Sequence, residues 1–168
     1  AVAFPVQLER ALAAEGVACE VLNAGVSGDT SAGGLARLDW VLGDAPTHLL
    51  VQLGGNDALR ALPVEQLEAN LAGIIEGAQA AGVSVMLAGM LAPPNLGDDY
   101  AAAFNPIYGE LAAKHGVELY PFFLDGVAGD ARFNLQDGMH PNADGVEVIV
   151  KRILPTVEAV IERIDESR

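Results

Sequence analysis

The stretch His48-Leu-Leu-Val-Gln-Leu53-Gly-Gly-Asn56-Asp57 decides how this chain is read. Its near-continuous apolar run has the length and character of a strand buried on both faces, and the two glycines release it into a loop. Val64 to Ala81 follows, with Leu67, Leu71, Ile74, Ile75 and Ala78 at helical spacing, Pro63 near the start and Gly82 just past the end. The same rhythm recurs at Val17-Ala-Cys-Glu-Val-Leu22, Val83-Ser-Val-Met-Leu-Ala88 and Val117-Glu-Leu-Tyr-Pro-Phe122, and Gly16 and Gly116 punctuate two further helices. A last helix is expected from the N-cap Asn142 onward, with Val146, Ile149, Val150, Ile153, Val157, Val160 and Ile164 on its apolar face and a kink at Pro155. Four strands alternating with helices imply a three-layer α/β/α sandwich around a parallel sheet, with ligands bound at the carboxyl ends of the strands.

Composition narrows the function classes. A chain of 168 residues fits one domain, and 51% apolar with 19% charged residues excludes a disordered chain. The formal charge of −14 comes from scattered acidic residues, so the surface repels nucleic acid and anionic membranes and suits a neutral small-molecule substrate. Cys19, the single cysteine, excludes an intrachain disulfide and reads as a small buried hydrophobe. No run is long enough for a membrane span, and no signal peptide is visible, although a mature exported chain would lack one too.

Three fragments carry chemistry. In Asp137-Gly-Met-His140 the carboxylate can accept the Nδ1 proton of the imidazole and leave Nε2 to act as a base, or it can simply cap the backbone of Met139 or His140. Asn56 either points its amide at an oxyanion or takes a left-handed turn conformation while Asp57 caps the next segment. Gly28, in Ser27-Gly28-Asp29-Thr30-Ser31, either presents an unobstructed N–H to the same oxyanion or forms an ordinary turn. All three fragments fall after strand-like runs and are expected to converge on one rim of the sheet. His48, opening a strand, and His115, before a helix-ending glycine, read as structural.

Together the fragments resemble blocks of the SGNH-hydrolase family, the GDSL-type esterases, in its small bacterial arylesterase and thioesterase I/lysophospholipase branch. The similarity extends through Met90-Leu-Ala-Pro-Pro-Asn-Leu-Gly97, the stretch around Tyr108 and Pro121-Phe-Phe-Leu124. The resemblance implies a flavodoxin-like sheet, His140 as base, Asp137 as its partner, Gly28 and Asn56 as oxyanion-hole donors, and no metal or cofactor. The family's Gly-Asp-Ser turn, which carries the nucleophile after the first strand, has no counterpart in residues 1–168. The expectation is therefore a serine and a central strand upstream of Ala1, with Phe4-Pro5 resembling the helix that follows them and Ser27 as a substitute nucleophile. On this reading 1–168 is a single, N-terminally incomplete domain of a carboxylic-ester hydrolase for short- to medium-chain acyl or aryl esters and thioesters. Leu59, Leu62, Met90, Leu91 and Met139 are candidates for its apolar acyl pocket. Two alternatives are a catalytically inactive remnant or binding module, and a metal-dependent phosphoesterase using Asp137, His140, Asn56 and Asp57 as ligands.

Overall fold

The computed structural model describes residues 3–165. In chain order the elements are helices α1 (Phe4–Ala14), α2 (Ser31–Ala36) and α3 (Leu38–Gly43), strand β1 (His48–Val51), helices α4 (Gly55–Leu59) and α5 (Val64–Ala80), and strand β2 (Ser84–Ala88). A 3₁₀ turn at Pro94–Leu96 leads to α6 (Asp98–Phe104), α7 (Ile107–His115), strand β3 (Glu118–Tyr120) and helix α8 (Ala143–Asp165). They are distributed over two compact units, one of residues 25–122 and one joining the N-terminal residues up to 24 with those from 123 onward.

Residues 25–122 contain the sheet. Its strands run parallel in the order β1-β2-β3, with Leu50 opposite Met86 and Leu87 opposite Leu119. Parallel strands need helical crossovers, and α5 and α7 supply them and pack on the sheet. The apolar spacing of α5 shows why: Leu67, Leu71, Ile74, Ile75 and Ala78 are all buried, against Val85, Leu87, Phe104 and Leu111.

The second unit pairs α1 with α8. Leu8 and Leu12 are buried on α1; on α8 Ile149, Val150, Ile153, Val157 and Val160 are buried, as the apolar spacing marks, and Val146 is half-buried. The side chain of Ile164 lies outside the described residues. Asn142 caps α8 as expected, accepting the Gly145 N–H at 2.9 Å, and Pro155 lies inside a helix that continues on both sides of it.

Two expectations need correction. The sheet has three strands among the described residues, not four, because Val17–Leu22 enters no ladder. A strand is made by its partner, and here the Val21 N–H donates to the Glu9 carboxylate at 2.6 Å instead. Cys19 is consequently exposed rather than buried, since an unpaired segment has no second strand beside it to shelter its side chains. Burial of the thiol that does occur, then the nearby Glu9 charge, pushes its pKa up.

Candidate active site

Asp137 and His140 sit on a tight loop between β3 and α8. A turn closed by Gly138 N–H to the Leu135 carbonyl (2.9 Å) reverses the chain, and Leu135 N–H to the His140 carbonyl (2.7 Å) and Asn142 N–H to the Phe133 carbonyl (2.9 Å) fasten its two arms. Asn134, buried beneath, donates to the carbonyls of Val127 (2.6 Å) and Asp130 (2.8 Å). On this base Asp137 performs both tasks that its spacing allowed. Oδ1 accepts from the N–H of Met139 (2.9 Å) and of His140 (3.0 Å), while Oδ2 stands 2.7 Å from His140 Nδ1.

Those bonds stabilise the charged carboxylate. The His140 and Met139 backbone N–H groups, then the imidazole, hold the Asp137 pKa down at about 2. A carboxylate fixed at Nδ1 selects the tautomer with the proton on that nitrogen, leaving the Nε2 lone pair available on a ring that is 59% exposed. Such a pair can take a proton from a hydroxyl and return it to a leaving group.

Within residues 25–122, Gly28 and Asn56 occupy adjoining segments. Gly28 is the third residue of a turn closed by Asp29 N–H to the Val26 carbonyl (3.2 Å), and its φ of +77° is one that side-chain-bearing residues rarely adopt. Asn56 lies in the first turn of α4 and is half-buried, and among the described residues no hydrogen bond occupies its side-chain amide. The left-handed conformation belongs to Gly54 (φ +114°), so Asn56 itself is helical.

Asp57 does not cap its own segment. Buried, it reaches the start of α2, where Oδ2 accepts the Ser31 N–H at 2.8 Å and Oδ1 the Ser31 hydroxyl at 2.5 Å; Asn70 completes the cluster by donating to Ser31 Oγ at 3.0 Å. Arg60, one turn on from Asn56, donates to the Gly28 carbonyl at 2.9 Å. These links cross 26, 39 and 32 residues of sequence, and no local pattern announces them.

The expected acyl-pocket residues divide. Leu59, Leu91 and Met139 are each about half exposed, an unusual state for large apolar side chains, whereas Met90 packs partly buried on the core of its unit. Leu62 is half-buried, and its carbonyl accepts the Tyr100 hydroxyl. Ser27 is exposed at the second position of the Gly28 turn.

The profile of the GDSL-like lipase/acylhydrolase family matches residues 2–148. The chain is 42% identical over 155 residues to the esterase TesA of Pseudomonas aeruginosa, an overlap covering 92% of this chain and 77% of that one. It is 40% identical over 142 residues to the thioesterase 1/protease 1/lysophospholipase L1 of Escherichia coli, covering 82% and 68% of the two chains. A crystal structure of TesA matches with a TM-score of 0.89 at 41% identity, over 94% of this chain and 88% of that one.

Proposed function

Because the chain belongs to the GDSL-like lipase/acylhydrolase family, we propose that residues 1–168 belong to one catalytic domain that hydrolyses carboxylic esters through an acyl-enzyme. His140 is its general base and Asp137 the residue that orients it. Gly28 N–H and the Asn56 amide are its oxyanion donors. The observation that carries the reading is the Asp137 Oδ2 to His140 Nδ1 contact of 2.7 Å on an exposed ring.

The reaction follows the serine-hydrolase scheme. His140 Nε2 removes the proton of a serine hydroxyl as its oxygen attacks the ester carbonyl, and the negative charge that develops on the carbonyl oxygen is met by the Gly28 and Asn56 donors. Collapse of this intermediate expels the alcohol, or the thiol of a thioester, which takes its proton from His140. Water activated by the same imidazole then releases the acid and restores the serine. The attacking serine is of the Gly-Asp-Ser type, for which residues 1–168 hold no matching turn. Ser27 is not assigned this part, since it belongs to the turn that orients Gly28.

The substrates are neutral short- to medium-chain acyl or aryl esters, and thioesters by the same chemistry. Relatives named as an esterase and as a thioesterase/lysophospholipase support this range. The acidic chain favours uncharged over polyanionic esters. Leu59, Leu91 and Met139 are proposed to contact the acyl chain. A metal-centred phosphoesterase has less support, because the Asp57 carboxylate is engaged by Ser31 and both Asp137 oxygens already accept hydrogen bonds.

The test is the natural full-length protein with a p-nitrophenyl ester and a fluorophosphonate probe. Hydrolysis that stops as the probe labels one serine, located by peptide mass spectrometry, supports the proposal. Turnover that resists the probe but ends on chelation would overturn it.

A further inference from the structure

We propose that Arg60 is a positioning residue that sets the direction of the Gly28 N–H relative to the Asn56 amide by holding the Gly28 carbonyl. The inference rests on the assignment of Gly28 and Asn56 as oxyanion donors.

The peptide between Gly28 and Asp29 is held at both of its polar atoms. Its N–H, from Asp29, donates to the Val26 carbonyl at 3.2 Å, and its oxygen, from Gly28, accepts from Arg60 at 2.9 Å. A Cβ built on Gly28 would meet no atom within 4 Å, and two hydrogen bonds hold the peptide that follows it. With that peptide plane set, only the rotations about the Gly28 Cα–C and N–Cα bonds (φ +77°) separate it from the direction of the Gly28 N–H.

The other end of the strap is tied to the second donor. Arg60 follows the last residue of α4, and its own N–H donates to the Asn56 carbonyl at 3.1 Å. The short helix thus carries Asn56 and, through the Arg60 side chain, grips the turn that carries Gly28. Asp57 provides a deeper anchor by binding Ser31, three residues beyond Gly28. The intervening Asp29 pairs with Arg37 and accepts the Thr30 N–H at 2.9 Å. The segment is therefore secured at 29 and 31 without Arg60, and what Arg60 adds is the orientation of residue 28. Being exposed, it can be replaced at little cost to the fold, unlike the buried Asp57.

The experiment compares the full-length protein with its Arg60→Met, Arg60→Lys and Asn56→Ala variants by kcat and KM on p-nitrophenyl butyrate, with Tm measured for each. A donor misdirected by a fraction of an ångström acts in the transition state, so Arg60→Met should lower kcat by roughly tenfold with KM within about twofold and Tm unchanged. Arg60→Lys, which keeps a cationic donor, should recover most of that loss. A wild-type kcat in Arg60→Met beside a depressed one in Asn56→Ala would overturn the role of Arg60 and leave the donor assignment standing. Wild-type kcat in both variants would overturn the donor assignment and this inference with it. A rise in KM alone, or a kcat loss that tracks a fall in Tm, would make Arg60 a binding or a structural residue and equally end the proposal.

Discussion

The Tyr108 hydroxyl occupies the place where a Cβ on Gly54 would stand, and it donates to the Leu53 carbonyl at 2.7 Å. This contact closes the end of the run that begins at His48, three residues before Asn56. Burial, then the charge of Asp57, raises the Tyr108 pKa well above that of an ordinary phenol, so the hydroxyl remains a donor at any pH the protein would meet.

Gly54→Ala should therefore be among the most damaging single substitutions. Its methyl group meets Tyr108 and Leu67 while its backbone must keep a φ of +114°. The expected loss is about 2–4 kcal/mol of stability, measured by urea denaturation. Tyr108→Phe, which only strands the Leu53 carbonyl, should cost about 1–2 kcal/mol.

His140→Ala should abolish ester hydrolysis with a Tm within about 2 °C of the parent, because an exposed ring contributes little core packing. Stopped-flow and thermal melts on the same preparation check this. Near-parental rates would remove the base assignment.

Asp137 gives a signed pH prediction. Its folded pKa of about 2 lies below the ordinary carboxylate value of 3.8, so the stabilisation it provides is complete above the ordinary value and fades as pH falls toward 2. Melts of the parent and Asp137→Asn should differ by a constant amount above about pH 5 and draw together below about pH 4. For the same reason Asp137 should contribute no limb to the rate profile between about pH 4 and pH 9, and Asp137→Asn should lower the plateau instead. Initial rates across that range decide it.

Asn56→Ala should reduce kcat by about 10²- to 10³-fold with KM nearly unchanged, the signature of a donor whose bond strengthens as the oxyanion forms. Steady-state kinetics on an activated ester are sufficient. An effect limited to KM would mark Asn56 as a group that binds the substrate in its ground state.

Sequence alone determined the features that follow from short-range patterns. The α5 boundaries, its five buried apolar positions, the Asn142 cap and the pairing of Asp137 with His140 all rest on relations between residues a few positions apart, where spacing dictates geometry. The parallel direction of the sheet was legible from the strand-to-helix rhythm, which permits no tight hairpins.

Tertiary structure decided whatever depends on a distant partner. Val17–Leu22 has the composition of a strand, yet ladder bonds require a neighbour that its own residues cannot supply, and so it is unpaired and Cys19 is exposed. Asp57 reads locally as a cap for the segment after it, whereas the fold brings Ser31 to its carboxylate from 26 residues away. Arg60 carries no local signal at all, and its bond to Gly28 exists because α4 is laid beside a turn 32 residues earlier. Periodicity records which face of an element is buried; only packing selects the polar groups that meet there, since each buried donor or acceptor must find a partner wherever the fold delivers one.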